Sequence, residues 1–551
     1  MERQTSGEDA LGRRQLLARA GAVAVGGVAA GLAGPAGEAV AAEAVPSAAP
    51  AFTPVTVRPG DRRYDSLLRG NNFRFVGHPD EIRVCGSTEQ VVRAVQDAVR
   101  SGRRIAARSG GHCFENFTGD PAVRTLLDLS PMDEVGYDAR HRAFSVQPGA
   151  TLGHVYRTLF KGWGVTIPAG GCPEVGAGGH FAGGGYGPLS RRYGSVVDHL
   201  HGVEVVVVDR DGTARAVVAT RDSDGPHRDL WWAHTGGGGG NFGVVTRYFL
   251  RSPGASGDDP SRLLPPSPRR MLRTVVSWAW DDRMTEKSFT AIVRNFGAWH
   301  ERNSAPGSPG TGLYPILLLP HRSARVFYLV VQMDADLPGG DRLLTDFLSA
   351  VTEGTGVEPA GTTRRTTSWL HATTWPGSGE PGGIDDRRYK PKAAYLRRPY
   401  TDRQLAALHR HLTDSPPRPN AVVLLIGYGG QVNAVRPDAT AVAQRDSIMK
   451  AVFQTIWDDE SDDDANIAWI RAFYRDVYAD TGGVPLPDDA VSDGSYINYP
   501  DRDLADPQWN TSGVPWHALY YKGNYPRLQR VKARWDPRDV FRHAMSIEPP
   551  S

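Results

Sequence analysis

Apolar positions along the chain change period several times, and each change predicts an element. The stretch "STEQVVRAVQDAVRSG" at 87–102 opens with Ser87 and has Gln90 three residues on, a capping box, then carries apolar residues at helical spacing until Gly102. "RIAARS" at 104–109 and "RAFSVQPG" at 142–149 read as strands, and "TLGHVYRTLF" at 151–160 reads as a helix capped by Thr151. "GVEVVVVDRDGTARAVV" at 202–218 predicts a hairpin that turns at its Asp-Gly. A Pro/Ser/Gly-rich segment at 252–270 marks a boundary. Beyond it, "LYPILLLP" and "RVFYLVVQMD" predict paired strands, separated from "AVVLLIGYGG" by helices near 285–303, 341–353 and 401–412. A further helix is predicted within 464–480. The pattern is α+β: a mixed first part to about residue 250, then a mostly antiparallel sheet covered by helices.

Composition narrows the partner. The 551 residues suffice for two to four domains with sizeable cores. With 63 basic against 61 acidic residues and no basic run interleaved with aromatics, nucleic acid is excluded as the expected partner, and a small molecule takes its place. Much of the glycine, 63 residues in all, lies in a few local runs, as close backbone approach to a ligand requires. Residues 1–42 read as a leader: Arg13-Arg14 precedes an Ala/Gly-rich stretch, and Ala39-Val40-Ala41 is the expected cleavage site. Twin-arginine export of a folded, secreted protein is the expectation, with no membrane span. Cys85, Cys113 and Cys172 are odd in number, so at least one is outside any intramolecular disulfide. Zinc is a poor explanation, because His112-Cys113 has no metal-ligand spacing and no C-x-x-C exists.

The chemistry concentrates in two glycine-rich runs, "RIAARSGGHCFENFTGD" at 104–120 and "PAGGCPEVGAGGHFAGGGYG" at 168–187. G-x-G-x-x-G occurs at Gly238, Gly240 and Gly243, but a β-branched strand follows it where a dinucleotide fold needs a helix. Ser109-Gly110-Gly111 and Gly176 to Gly187 instead suit turns whose backbone N–H groups converge on a pyrophosphate.

"RSGGH" at 108–112, "GGCPEVGAGGHFAGGGYG" at 170–187, "GGGGGNFGVVT" at 236–246, "YINYPD" at 496–501 and "YYKGNYPRLQRVKARWDPRDVFRH" at 520–543 together resemble the berberine-bridge-enzyme-like FAD-linked oxidases. The resemblance runs from about residue 75 to the C-terminus. It implies a fold of the vanillyl-alcohol-oxidase type: a two-subdomain FAD-binding domain over 43–250, a substrate domain over 251–500, and a segment, 501–551, returning to the first. It implies a bicovalent FAD, with His112 on the 8α methyl and Cys172 on carbon six; imidazole and thiolate are nucleophiles suited to such bonds. Arg108, Ser109, Gly110, Gly111, Val175, Gly176, Gly178, Gly179, Gly183, Val244, Asn498 and Asn524 are the further cofactor-binding positions it implies. His180 lies in the cradling run and is not the attachment point. Cys113 is either a free thiol or a partner for Cys85; the free, buried thiol is favoured.

The resemblance also implies a reaction. Tyr499 serves as base, taking a carbinol proton while hydride leaves for the flavin, and O2 is reduced to hydrogen peroxide. A phenol of ordinary pKa near 10 is a poor base at neutral pH, so a neighbouring cation or strong hydrogen bond has to lower it. Tyr428 in "IGYGG" matches a second active-site position, and Ile426 replaces the acidic or amide group found nearby in relatives, which points to a pair of tyrosines. As core aromatics with satisfied hydroxyls, both would have a plain structural role. Val175 matches the oxygen-access position, where a small β-branched residue accompanies oxidases. The tail at 494–528 and "YKPKAAYLRRPY" at 389–400 resemble the bacterial branch that tailors glycosylated natural products. Oxidation of a deoxysugar hydroxyl on an aromatic polyketide is therefore expected, with a second, desaturating step using Tyr428 as an extension and Trp369 and Trp375 as candidate stacking surfaces. The alternatives are an oligosaccharide oxidase acting at the anomeric carbon and a drug-sequestering protein of the same fold.

Overall fold

The computed structural model describes residues 53–374, 386–414 and 416–550. The expected leader and Trp375 lie outside the described residues. Sixteen strands in three sheets organise the described part. The first sheet holds β1 (Val55–Val57), β2 (Glu81–Val84), β3 (Ile105–Arg108) and β4 (Thr125–Asp128) in the order β1-β2-β4-β3, with β2 and β3 both parallel to β4. Parallel strands need a crossover, and the helix Thr88–Arg100 supplies it between β2 and β3. Ser87 Oγ caps this helix by accepting the Gln90 N–H, while the Gln90 side chain accepts from Gly86, one residue earlier than a standard capping box.

The second sheet holds β5 (Val135–Asp138), β6 (Ala143–Val146), β7 (Leu200–Val208), β8 (Ala214–Thr220) and β9 (Val244–Leu250), antiparallel in the order β5-β6-β9-β7-β8. Its strand β7 is apolar at successive positions because both faces are covered. Val206 and Val208 pack with Val91, Ala94, Val95 and Ala98 of the helix Thr88–Arg100, whereas Val203, Val205 and Val207 join the opposite core.

The third sheet holds β10 (Arg270–Ala279), β11 (Leu313–Pro320), β12 (Val326–Asp334), β13 (Gly361–Ser368), β14 (Arg388–Leu396), β15 (Ala421–Gly427) and β16 (Met449–Trp457), antiparallel in the order β13-β10-β12-β11-β15-β16-β14. Alternation on β15 decides what faces what. Ala421, Val423 and Leu425 join the core shared with the helices Glu286–Asn303, Asp402–Thr413 and Asp463–Val477; Leu424 and Ile426 join a tyrosine-rich cluster on the other face. The capping box expected at Thr401 and Gln404 is present in both directions.

The C-terminal helix Tyr525–Trp535 and the residues after it pack on the glycine-rich run before β9. Lys532 Nζ donates to Asn241 O and Phe541 O, Ile547 N donates to Asn241 Oδ1, and the Trp535 indole N–H donates to Pro226 O. Leu425 lies at the centre of the third sheet and is 1% exposed. Leu425→Ala is expected to destabilise the protein by about 2–5 kcal/mol. Thermal and denaturant unfolding check this, and a loss under 1 kcal/mol would mean the sheet core is not packed as described.

Candidate active site

At the end of β3 the chain turns through Ser109, Gly110 and Gly111 into His112, with Gly111 at φ 72° and its carbonyl accepting the Asn71 N–H at 2.9 Å. The second glycine-rich run meets this turn. A Cβ on Gly110 would lie 2.4 Å from Gly176 N, so the two backbones touch where any side chain would part them. Gly176 is also the N-cap of the helix Ala177–Ala182. That contact puts His112 and Cys172 on the wall of one cavity of about 440 Å³. Glycines Gly238 to Gly240 add a third wall, Phe541 and His543 come from the C-terminal tail, and Tyr314 and Ile426 come from the third sheet.

Most of the residues expected at the cofactor line this cavity: Arg108, Ser109, Gly110, Gly111, His112, Cys172, Val175, Gly176, Gly178, Gly179, Val244, Asn498 and Tyr499. Arg108 does so without offering its charge, because its guanidinium is bonded to Asp128 at 2.7 Å and to the carbonyls of Leu67 and Arg69. Three expected residues stand elsewhere. Gly183 is not in the wall; a Cβ there would lie 2.0 Å from Asn498 Oδ1, so its bareness admits Asn498. Asn524 is buried and donates to the carbonyls of Pro437 and Thr440, which fixes a loop away from the cavity. Tyr428 sits one layer behind, edge-on to Tyr186 with centroids 5.7 Å apart, and burial pushes its phenol up to about 12. Trp369 is a core residue 6.1 Å from the Tyr156 ring, not a surface in the cavity. Cys85 and Cys113 are both free thiols, and burial pushes Cys113 up to about 12.

His180 also lines the cavity, but its Nε2 accepts the Gly170 N–H at 2.9 Å and burial holds its imidazole neutral, with a pKa of about 3. Tyr156 donates to the Gly170 carbonyl at 2.6 Å, so both backbone polar groups of Gly170 are held, two residues before Cys172.

Sequence reasoning missed the surroundings of Tyr499. Its hydroxyl is 2.9 Å from the Tyr186 hydroxyl, its ring stacks on Phe114 at 5.3 Å, and Tyr496 stands edge-on at 5.0 Å. Asn498 donates to the Tyr496 hydroxyl and to His180 O, and Gly185 N also donates to Tyr496. Beneath these rings lies Lys450, 2% exposed and without a hydrogen-bond partner among the described residues. Its Nζ is 3.4 Å from the Tyr186 ring centroid, 3.6 Å from Tyr496, 4.4 Å from Tyr428 and 4.5 Å from Tyr395. Burial and the Arg445 charge push the ammonium well below its ordinary pKa, while four aromatic faces favour the charged form. Burial raises Tyr499 above an ordinary phenol, and the Tyr186 hydrogen bond opposes that rise. The signal that identifies Lys450 in the sequence is a lone cation in the apolar strand "MKAVFQTIW".

The cavity fits a flavin dinucleotide. Gly179 and Gly239 are exposed on the cavity wall; a Cβ on Gly179 would meet nothing within 4 Å and one on Gly239 only Ala182 at 3.9 Å. Bare backbone therefore faces open cavity on two walls, as a pyrophosphate cradle needs, and two nucleophilic side chains stand on the same surface.

Comparison with known proteins agrees. Residues 79–217 match the FAD binding domain family and residues 495–548 match the berberine and berberine like family. Aclacinomycin-N/aclacinomycin-A oxidase of Streptomyces galilaeus is 58% identical over 491 residues, 89% of each chain. The crystal structure of an aclacinomycin oxidoreductase superposes with a TM-score of 0.87 at 56% identity, covering 91% of this chain and 100% of that one. A glycopeptide hexose oxidase complexed with teicoplanin gives 0.86 at 50% identity, with the same coverage. On the touching glycine turns, the cavity they enclose and this similarity over nine-tenths of its length, the chain belongs to the berberine-bridge-enzyme-like family of FAD-dependent oxidoreductases.

Proposed function

We propose that this protein is an oxidase of a hydroxyl group on a glycosylated aromatic natural product, with FAD attached at both His112 and Cys172 and dioxygen as final acceptor. The observation that carries the reading is the Tyr499–Tyr186 hydroxyl contact, 2.9 Å long, at a cavity lined by both attachment residues and backed by a buried cation. FAD, held at His112 and Cys172, would supply the two-electron acceptor for the substrate carbon, with O2 as the final oxidant and hydrogen peroxide as its product.

The protein's own part is to hold and move one proton. Tyr499 Oη takes the substrate hydroxyl proton as the adjacent C–H is broken. To take that proton Tyr499 must first be ionised, and the negative charge it carries until then is shared by hydrogen bond with Tyr186, whose ring lies over Lys450 Nζ. Phe114 and Tyr496 fix the plane of the Tyr499 ring and leave its oxygen one direction to face. Val175, a small residue at the expected oxygen-access position, also lines the cavity. The aromatic and aliphatic wall of Phe114, Tyr186, Tyr314 and Ile426 favours a sugar carried on a planar aglycone over a free sugar. Relatives named for aclacinomycin and for a glycopeptide support the same substrate class. Tyr428 is not assigned a second oxidation, because Tyr186 stands between it and the cavity.

Intact mass after denaturation tests the cofactor: one FAD added to the parent chain, retained in His112→Ala and in Cys172→Ala, and lost only in the double variant. An unmodified parent chain, expressed with ample flavin, refutes covalent attachment, and one that is also colourless when native favours sequestration of a drug. Tyr499→Phe is expected to lower kcat about 10²- to 10⁴-fold while the flavin stays attached. Peroxide release from aclacinomycin-type glycosides, measured beside free hexoses, checks this, and near-parental turnover removes Tyr499 as base. The pH profile tests the cation. The working base is ionised Tyr499, so kcat/KM rises with pH through its pKa; removing the ammonium makes the anion harder to form. Lys450→Met is therefore expected to move the acid limb up by about one pH unit and to lower kcat/KM at neutral pH. An unmoved limb would show that Lys450 is not charged in the working enzyme.

A further inference from the structure

Strand β14 is an edge strand of the third sheet, and its two sides reach different parts of the site. Tyr389 meets Phe114 edge-on at 5.6 Å, and the Phe114 ring in turn stacks on Tyr499. The next residue, Lys390, puts Nζ 2.9 Å from Glu115 Oε1 and 2.7 Å from Asp501 Oδ1. Lys392 binds the other oxygen of Asp501 at 2.5 Å and Asp503 at 2.9 Å, and Arg471 closes on Asp503 at 2.6 Å. Glu115, Lys390, Lys392, Asp501 and Asp503 are each at most 7% exposed in their side chains.

The sequence positions of the two acids give this cluster its meaning. Glu115 follows His112 by three residues and Asp501 follows Tyr499 by two. Glu115 also accepts the Arg502 N–H at 3.2 Å, a second tie between the same two segments. Apolar side chains of equal volume would join the segments without the cost of burying charge. They would not set the distance and direction that hydrogen bonds from one ammonium to two carboxylates set. Burial alone would push Lys390 down, yet the charges of Asp501, Glu115 and Asp503 outweigh it and hold the ammonium above its ordinary value.

We propose that Lys390 is a positioning residue for the oxidation: its ammonium ties the loop after His112 to the segment after Tyr499 and so sets the Tyr499 ring against Phe114 at the cavity wall. The proposal rests on the reading of Tyr499 as base and His112 as an attachment point.

The test separates positioning from stability. Lys390→Met leaves three carboxylates facing Lys392 and Arg471 and is expected to lower the melting temperature. The double variant Lys390→Met/Glu115→Gln removes one charge of each sign and is expected to regain most of that loss. Its kcat should nonetheless stay about 10- to 100-fold below the parent with KM changed less than about 2-fold, since misplacement acts on the reacting geometry. Amide exchange across 112–117 should be faster than in the parent. Recovery of parental kcat together with the melting temperature, or unchanged exchange, overturns the proposal. Glu115→Gln alone keeps the Lys390–Asp501 contact and serves if the Lys390 variants do not fold; about a 10-fold loss of kcat and faster exchange are expected, and parental values for both overturn the tie. Peroxide production by the parent is measured in the same series. An inactive parent refutes the functional reading, and the exchange data then still judge the clamp by themselves.

Discussion

The backbone contact between Gly110 and Gly176 is the constraint on which the site depends. With a Cβ position 2.4 Å from the opposing nitrogen, the turn after β3 and the cap of the helix Ala177–Ala182 cannot approach as they do with any other residue at Gly110. Because they touch, His112 and Cys172, sixty positions apart in the chain, face one cavity. The hydrogen bonds at Gly111 O and at both sides of Gly170 hold the ends of the contact in place.

Around that contact the protein buries groups that water would otherwise keep in their ordinary states. Tyr186, Tyr395 and Tyr496 have phenols pushed well above the ordinary value by burial, and His180 is held neutral. Such groups neither gain nor lose protons near neutral pH and serve as walls and hydrogen-bond partners. Tyr499 differs in having the Tyr186 hydroxyl as a partner that favours its anion, with Lys450 Nζ against the face of the next ring. In a site of low dielectric one ammonium against a ring face acts at a strength it would not have in water.

Several buried charges away from the proposed proton transfer are paired. Arg445 and Asp198 are bonded at 2.7 Å with almost no exposure, Arg108 meets Asp128, and the Lys390–Lys392 cluster meets three acids. Lys450 stands apart in resting on four tyrosine faces, with no hydrogen-bond partner for its Nζ among the described residues.

By itself the sequence determined the local elements and the kind of ligand. Capping residues Ser87, Thr151 and Thr401 and the β7–β8 hairpin act over a few residues, so their physics is complete within the window that is read. The ordered motifs, through the family they resemble, pointed to a flavin and singled out His112, Cys172 and Tyr499, all of which line the cavity. Tertiary structure alone decided which of these residues face the cavity. Tyr428 and Ile426 lie two apart on one stretch, yet Ile426 lines the wall and Tyr428 stands behind Tyr186; Asn524 lies in a conspicuous motif and holds a loop. It also decided that Lys450 lies under Tyr186 and that Lys390 joins Glu115 to Asp501, because these contacts bring together segments hundreds of residues apart. Their energies depend on burial and direction, which no local pattern of residues records.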